Sequence, residues 1–508
     1  MNNNSRFKNT ILNSMYGIFA YMGIMTMTFV SRSIFADALG PEYLGLNSLF
    51  SNVMSLLNLT ELGLSTAIVY FLYEPVAKED YATIKMYLSF YKKLFLGIAT
   101  IIIALGVVVS LFIDRITNST IPSGELQFYF MLYLFSTIAT YLCVYKTSIL
   151  YADQKNRVIS KYNALSKGSM LLVQMAVIYY TRNYTLYLIL LIIGNIIENL
   201  LTSRYVDRNY KFLQTVKCRQ ISIEEKKELM YKTKSIATQK FAGFFIGSTD
   251  NIIISKVIDM VSVGLYSNYY LISSTLKVIF SQIFAAFTNS FGNMTALSEK
   301  EELFNVYKKA EFIAFSFGCI TSIMYLALIQ PFISIWMGNE YVMDISTPIL
   351  ITVAYYIYLM AMPGYSVQNA LALHHVDKNI ILFQAGIHLV LSIMLTNIMG
   401  INGVIFAAII SNIIPAISKA YVAYRVVFEK SLLNYFVQYT KKTFLYIILL
   451  CVSMYIVRMI HIQNIYIEFI VKASMSFMIP TVSIIGIYAN TPELQYFLCK
   501  IKNIKTRL

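Results

Sequence analysis

A lysine, Lys277, stands in the middle of an apolar stretch, together with hydroxyl-bearing residues at helical spacing. Polar positions that recur every three, four or seven residues share one face of a helix, and here they are Tyr266, Tyr270, Ser273, Lys277, Ser281 and Thr288. A charge at the centre of a membrane helix costs about 2.5 to 3.5 kcal/mol and usually faces water or a bundle interior. The face is therefore predicted to line a wet cavity, in which an ammonium group can bind an anion.

A second polar stripe runs through an earlier apolar stretch. Steps of three and four residues connect Asn47, Ser51, Ser55, Asn58, Glu61 and Ser65. Asp250 similarly shares a helix face with small and polar residues, Gln239, Gly243 and Gly247. Two interpretations stay open for these groups, since they can line a cavity or form hydrogen bonds between helices, which requires no ligand.

These residues belong to fourteen apolar stretches, each long enough to cross a bilayer. A spanning helix needs about 20 apolar residues, because lipid cannot hydrogen-bond the backbone. The sequence is 57% hydrophobic and 13% charged, so the predicted fold class is an all-α polytopic membrane protein with about 14 transmembrane helices. The predicted spans lie near residues 11–31, 44–70, 94–113, 126–145, 159–180, 184–203, 236–256, 264–290, 310–335, 345–372, 379–398, 402–424, 443–460 and 465–489.

The distribution of basic residues predicts the orientation of the chain. Of the 41 Lys and Arg residues, 34 lie in alternate links and only five in the opposite links. Since basic residues near helix ends are retained on the cytoplasmic side, both termini are predicted to be cytoplasmic. The net charge of +15 is then a consequence of membrane topology, and no nucleic-acid partner is expected. The basic links can also contact the head groups of membrane lipids.

The longest cytoplasmic link divides the spans into six and eight. The predicted domains are an N-lobe at 1–205, a linker at 206–235, a C-lobe at 236–428, and two further helices with a tail at 429–508. Within the linker, Ser222 and Glu225 have the spacing of a capping box. A weak repeat with an offset of 219 residues aligns Gly45 with Gly264, which indicates two parallel-related lobes.

Few features indicate catalysis. The five cysteines are scattered without a nearby histidine, so neither a disulfide framework nor a metal site is predicted, and no nucleotide-binding loop or nucleophile triad occurs. An enzyme, such as a membrane polysaccharide polymerase, would be expected to carry a sizeable outer domain, whereas the outer links at 114–125 and 336–347 are short. We expect no catalytic residues and no cofactor other than a coupling proton or sodium ion.

Four segments resemble bacterial Wzx-type polysaccharide repeat-unit flippases, and the resemblance covers essentially the whole chain. They read LGPEYLGLNSLFSNVMSLLNLTELGLSTAI, YKTSILYADQKN, STDNIIISKVIDMVSVGLYSNYYLI and MGINGVIFAAIIS. Such flippases belong to the multidrug/oligosaccharidyl-lipid/polysaccharide exporter (MOP) superfamily, together with lipid II flippases and multidrug antiporters. The resemblance implies two six-helix lobes around a central cavity, with two extra C-terminal helices.

The resemblance also implies a substrate and a location. The expected substrate is an undecaprenyl-diphosphate-linked glycan, moved to the outer leaflet of the bacterial cytoplasmic (inner) membrane for capsule, O-antigen or related polysaccharide export. Ion-coupled alternating access is the expected mechanism, and polysaccharide polymerase machinery is an expected partner. A multidrug or organic-cation antiporter of the same superfamily is the alternative, because Glu61 and Asp250 could give the cavity an acidic character.

A diphosphate needs positive partners when it leaves water. Lys277 and Arg32 are the leading candidates, and Lys146 and Lys419 are candidates for the first contacts with arriving substrate. Relatives often place an arginine where Asn251 stands, which weakens a phosphate-binding role for that turn. The remaining candidates comprise two carboxylates for ion coupling or charge balance and five polar residues for the cavity lining; they are Glu61, Asp250, Asn47, Ser51, Asn58, Ser273 and Ser281.

Overall fold

The computed structural model describes residues 3–58, 64–153, 155–227, 229–230, 248–294, 299–371, 373, 376–496 and 499, excluding the side chains of residues 3–21, 64–67, 286, 289 and 293. The described residues are helical and contain no strand, so the all-α class predicted from the sequence is confirmed. Two compact units divide the chain, Met1–Gly264 and Leu265–Leu508, and each is described by itself.

Helices follow one another closely along the first unit. They are α1 (Asn3–Leu57), α2 (Leu64–Ala77), α3 (Tyr81–Leu111), α4 (Ser123–Tyr141), α5 (Val144–Ala152), α6 (Asn156–Thr181) and α7 (Tyr184–Asn209), followed by a described helical segment at 248–257. Helix α1 packs along α6, while α7 contacts both α4 and α6. Apolar side chains on the outer faces of these helices stay exposed, as expected for surfaces that contact lipid.

Gly40 interrupts α1. Its φ of 84° lies in the left-handed region, which glycine adopts without a steric penalty, and helical geometry resumes at Pro41. Proline is suited to the first turn of a helix, because its missing N–H would have no partner there. The part of α1 before Gly40 and the part after it are therefore two helices that meet at this break, and they contain the predicted span 11–31 and the start of the predicted span 44–70.

The next helices run to the C-terminal end of the described chain. They are α8 (Met260–Met294), α9 (Lys300–Met337), α10 (Ser346–Ala370), α11 (Lys378–Met399), α12 (Ile401–Tyr421, continued by a π-helical turn at Val422–Val427), α13 (Leu432–Arg458) and α14 (Ile465–Tyr488). Helix α9 packs against α10, α13 and α14, and α12 packs against α10 and α11. An aromatic core that includes Phe315, Tyr356 and Tyr446 joins α9, α10 and α13.

Nine helices among the described residues are long and apolar enough to cross a membrane, or ten if the bent pair α4 and α5 forms one span. From residue 300 onward, α9 to α14 correspond one by one to the predicted spans 310–335 to 465–489. Part of the predicted span 236–256 lies outside the described residues.

Impermeant thiol labelling tests the predicted orientation. Ser123 at the start of α4, Lys226 after α7 and Glu340 between α9 and α10 are exposed, so a cysteine at each can react without unfolding the protein. In intact cells, with the native cysteines removed, Ser123→Cys and Glu340→Cys should be labelled and Lys226→Cys should be labelled only after lysis. Labelling of position 226 from outside would contradict the assignment of both termini to the cytoplasm.

Candidate functional site

Lys277 lies near the middle of the 35-residue helix α8, about 25 Å along its axis from Met260. The side chain is half-buried. Its ammonium nitrogen lies 5.1 Å from the ring centroid of Tyr358 on α10 and 6.0 Å from that of Tyr270, two turns earlier on α8. Aromatic ring faces attract a cation electrostatically. These contacts position a positive charge in the middle of a membrane helix.

Hydroxyl groups on the same stripe bind the backbone of their own helix. Ser273 donates to the Tyr270 carbonyl at 3.0 Å, Ser281 to the Val278 carbonyl at 2.7 Å, and Thr288 to the Phe284 carbonyl at 2.8 Å. Each hydroxyl thus donates its hydrogen bond to a backbone carbonyl of α8 itself, which is common for Ser and Thr in helices. Ser273 is buried and Ser281 is half-buried. Among the described residues of this stripe, Lys277 is the group with a full positive charge.

Lys419 belongs to a buried polar cluster at the end of α12. Its ammonium binds the Asp377 carboxylate at 2.5 Å, and the two side chains are only 4% and 3% exposed. Asp377 also accepts hydrogen bonds from Ser418 at 2.8 Å and Gln368 at 2.6 Å, and the Tyr365 ring lies 4.8 Å from the ammonium. Burial by itself would raise the pKa of Asp377, but the Lys419 hydrogen bond and charge hold it below its usual value.

Lys146 is also paired with a carboxylate. Its ammonium contacts both Asp207 oxygens, at 2.7 and 2.8 Å, and donates to Ser203 at 2.8 Å. Lys146 lies on α5, whereas Asp207 and Ser203 lie on the last turns of α7, so the pair connects two helix ends. For Lys146 and Lys419, contact with a diphosphate stays a prediction, and such contact would have to displace a bound carboxylate.

The other predicted charged residues are distributed along the first unit. Arg32 is half-buried on α1. Asp250 is half-buried near the start of the segment 248–257. Glu61 lies outside the described residues. The proposed ion-coupling role of the two carboxylates stays a prediction.

The stripe on the second part of α1 faces neighbouring helices. Asn58 accepts a hydrogen bond from Tyr141 at 2.9 Å, and Ser51 is hydrogen-bonded to Tyr133. These bonds match the interhelical interpretation of the stripe. The Asn47 side-chain oxygen is buried without a hydrogen-bond partner among the described groups, and such groups are usually satisfied by water or a ligand.

The weak repeat aligns Gly45 with Gly264, and these two glycines lie where two helix starts meet. Gly45 packs against the start of α8 at Met260, and Gly264 packs against α1 at Pro41. A β-carbon on Gly45 would lie 2.0 Å from the Met260 carbonyl oxygen, and one on Gly264 would lie 2.2 Å from the Pro41 carbonyl oxygen. A side chain at either position is therefore excluded by backbone. Close approach of two helices through small residues is a common packing mode in membranes.

The loop at 118–120 joins the same two helix starts. The Asn118 backbone N–H donates to the Ser255 carbonyl at 3.0 Å, its carbonyl accepts from the Met260 N–H at 3.1 Å, and its side-chain amide donates to the Ile258 carbonyl at 2.7 Å. Ser119 and Thr120 donate to the Glu42 carboxylate at 2.6 to 2.7 Å. Although burial acts to raise the pKa of Glu42, the Thr120 and Ser119 hydrogen bonds lower it overall.

Sequence patterns identified some of these contacts and missed others. The Ser222–Glu225 capping box is confirmed, with the Ser222 N–H donating to Glu225 at 2.9 Å and the Glu225 N–H donating to Ser222 at 3.1 Å. Asp377 and Gln368 were not predicted, because neither recurs in a polar stripe. The signal that could have found Asp377 is the presence of Lys419 at the end of an apolar span, since a buried cation requires a nearby anion.

Comparisons with solved structures identify the fold. A lipid II flippase MurJ in an inward closed conformation has a TM-score of 0.67 at 14% identity, over 94% of this chain and 99% of that chain. An inward-facing multidrug resistance MATE family transporter of the MOP superfamily has a TM-score of 0.62 at 15% identity, over 80% and 96%. A MOP superfamily transporter from Pyrococcus furiosus has a TM-score of 0.55 at 16% identity, over 84% of this chain and 97% of that chain. The chain therefore has the fold of MOP superfamily transporters.

No protein-family model matches the sequence, and no curated protein matches it.

Paired substitutions test whether Lys419 and Asp377 stabilise the fold as one unit. Lys419→Met or Asp377→Asn alone should reduce stability by about 3 to 5 kcal/mol, because each leaves an uncompensated buried charge. The double variant should recover most of the loss, measured as thermal stability of the purified protein in detergent. Lys78→Met is the control, since Lys78 and Glu74 form an exposed pair whose loss should have no measurable effect. Additive losses in the double variant would contradict the coupling.

Proposed function

We propose that the chain is a flippase that moves an undecaprenyl-diphosphate-linked oligosaccharide repeat unit from the cytoplasmic to the outer leaflet. The observation that carries the proposal is the half-buried ammonium of Lys277 in the middle of α8, held by the rings of Tyr270 and Tyr358. An ammonium group in a membrane helix carries an insertion cost, and an anionic ligand would offset it. A diphosphate is the part of the expected substrate that needs such a partner.

The fold supports a carrier of this class. The match to the lipid II flippase covers 94% of this chain, whereas the match to the MATE family transporter covers 80%. The greater coverage favours a lipid-linked substrate over a small organic cation. The expected product is material for capsule, O-antigen or a related polysaccharide, in the cytoplasmic membrane of a bacterium.

Transport in this proposal is driven by an ion gradient through alternating access. Asp250, half-buried in the first unit, and Glu61 are the proposed binding groups for a proton or sodium ion. The contact between Gly45 and Gly264 would have to separate for this face of the first unit to open. The hydrogen bonds of Asn118 to Ser255, Ile258 and Met260 hold the same helix start and would have to adjust as well.

An organic-cation antiporter is the second candidate. Glu311 is buried on α9 and accepts hydrogen bonds from Tyr424 at 3.3 Å. A carboxylate among aromatic rings is a chemically reasonable site for an organic cation. However, Lys442 lies 3.9 Å from Glu311, which already compensates part of its charge.

Substitutions of Lys277 test the proposed function. In the host organism with its own copy deleted, Lys277→Ala should abolish surface export of the glycan, Lys277→Arg should retain part of it, and Lys277→Glu should be the most impaired through repulsion of phosphate. Tyr358→Leu should reduce export and Tyr358→Phe should preserve it, because only the first removes the ring.

Lys472→Ala is the matched control, since Lys472 also lies in a predicted span but is paired with Glu468 one turn away, and export should persist. Membrane abundance is measured for each variant. Normal export by a stably inserted Lys277→Ala protein would refute the phosphate-binding role. Improved efflux of organic cations by Lys277→Glu would favour the antiporter instead.

A further inference from the structure

Glu311 is a buried acidic side chain on α9 that the proposed phosphate site does not use. Only 8% of its side chain is exposed. The Tyr424 hydroxyl, on the π-helical turn, donates to both carboxylate oxygens at 3.3 Å, and Tyr307, four residues earlier on α9, also interacts with the carboxylate. The ring of Tyr435 on α13 lies 5.1 Å from that of Tyr424. The carboxylate is therefore surrounded by phenols, which are neutral groups.

The cation beside Glu311 is unusually distant for an ion pair of this protein. The Lys442 ammonium lies 3.9 Å from the nearest carboxylate oxygen, which is beyond hydrogen-bond distance. Every other ion pair among the described residues is 2.7 Å or shorter. Asp377, buried in the same unit, accepts three hydrogen bonds of 2.5 to 2.8 Å, including that from Lys419. Ionised Glu311 is thus compensated much less fully than ionised Asp377.

The other groups around Glu311 add little compensation. Lys308, one turn earlier on α9, lies over the ring of Phe304, 5.3 Å from its centroid. The elements that pack against this part of α9 present mostly phenols, and their titratable and charged groups are Tyr435, Tyr439 and Lys442 of α13, Tyr424 of the π-helical turn, Tyr356 of α10, and Tyr488 and Glu493 on the side of α14. Lys442 is therefore the cation on which the ionised form of Glu311 chiefly depends.

Glu311 and Lys442 lie at the same end of their helices. Glu311 follows the first residue of α9, Lys300, by about 16 Å along the helix axis, and it is the second residue of the predicted span 310–335. Lys442 directly precedes the predicted span 443–460. By the predicted orientation, both positions adjoin cytoplasmic links. A proton can therefore arrive from cytoplasmic water, and the flexible side chain of Lys442 can turn toward that water.

We propose that Glu311 binds a proton from the cytoplasm and so controls whether Lys442 holds α13 against α9, which makes transport sensitive to cytoplasmic pH. In the ionised form, the carboxylate attracts Lys442 across the 3.9 Å gap. Formation of the carboxyl O–H bond removes the buried negative charge, and Lys442 is then released toward the cytoplasm. The effect on transport rests on the proposed function, whereas proton binding itself requires no substrate.

Infrared difference spectroscopy of the purified full-length protein detects the proton directly, since only a protonated carboxyl group has the C=O band of a carboxylic acid. The wild-type protein should gain such a band as the pH is lowered, and Glu311→Gln should lose it. Lys442→Gln should shift the appearance of the band upward by about 1 to 3 pH units, because a nearby cation favours the ionised form. Tyr424→Phe should shift it in the same direction, since a donor to the ionised form is lost, and it provides an independent test if Lys442 proves necessary for folding.

Transport tests the consequence of proton binding. In vesicles, the pH is varied equally on both sides so that the proton gradient stays constant. The wild-type rate should change over the pH range in which the band appears, and Glu311→Gln should lose this dependence. Glu301→Gln is the matched control, because it is the same substitution on α9 at an exposed residue paired with Lys430, and it should behave like the wild type in both measurements.

Two results would overturn the proposal. The first is the lack of a Glu311-dependent band at every pH at which the protein stays folded, which would make the pair with Lys442 a permanent structural contact. The second is an unchanged pH dependence of transport in a folded Glu311→Gln protein. A wild-type protein that shows the band but moves no polyprenyl diphosphate would contradict the proposed function alone, so the two can fail separately.

Discussion

A charge inside a bundle of membrane helices must be compensated by the protein itself, because the surrounding lipid offers neither water nor counter-ions. The described helices satisfy this constraint in different ways. Lys419 is fully buried and binds Asp377, while Lys146 binds Asp207 where two helix ends meet. Lys277 is only half-buried and contacts the rings of Tyr270 and Tyr358. A diphosphate that reached this ammonium would add a charge-assisted contact to those with the two rings.

The same constraint applies to breaks in the backbone. Gly40 ends one part of α1, and the chain around 41–45 approaches the helix start at 260–264 so closely that any side chain on Gly45 or Gly264 would collide with a carbonyl group. Asn118 satisfies backbone groups of the 255–260 turn at the same place. The two helix starts related by the internal repeat are thus held together by backbone contacts and by the Asn118 side chain.

Sequence patterns predicted the helices well where the apolar stretches were long and ended in polar links. Helices α10 to α14 begin or end within a few residues of their predicted spans, except that α13 begins about three turns earlier, at Leu432. Its first turns carry Tyr435 and Tyr439, which pack in a buried aromatic cluster with Tyr424 although lysines follow them. The hydropathy pattern places the start of the membrane span after these lysines, at residue 443. The helix itself begins earlier and runs through the lysines without a break.

Pairing within the candidate site was harder to predict. Asn58 and Tyr141 are 83 positions apart, and Lys419 and Asp377 are 42 apart, so only the packing of helices brings them together. The stripe on α8 was recognised from its spacing, yet its hydroxyls bind their own backbone, which spacing alone cannot reveal. Lys277 was found because a charge within an apolar stretch is conspicuous in any sequence.

Transport in a purified system tests whether the protein moves a polyprenyl diphosphate across a membrane. The protein is reconstituted in vesicles with a fluorescent polyprenyl diphosphate, an ion gradient is imposed, and an impermeant quencher reports how much probe has reached the outer leaflet. We expect faster quenching than in protein-free vesicles, at a rate that depends on both the gradient and Lys277. Equal rates with and without the protein, in vesicles where its correct insertion is verified, would contradict it.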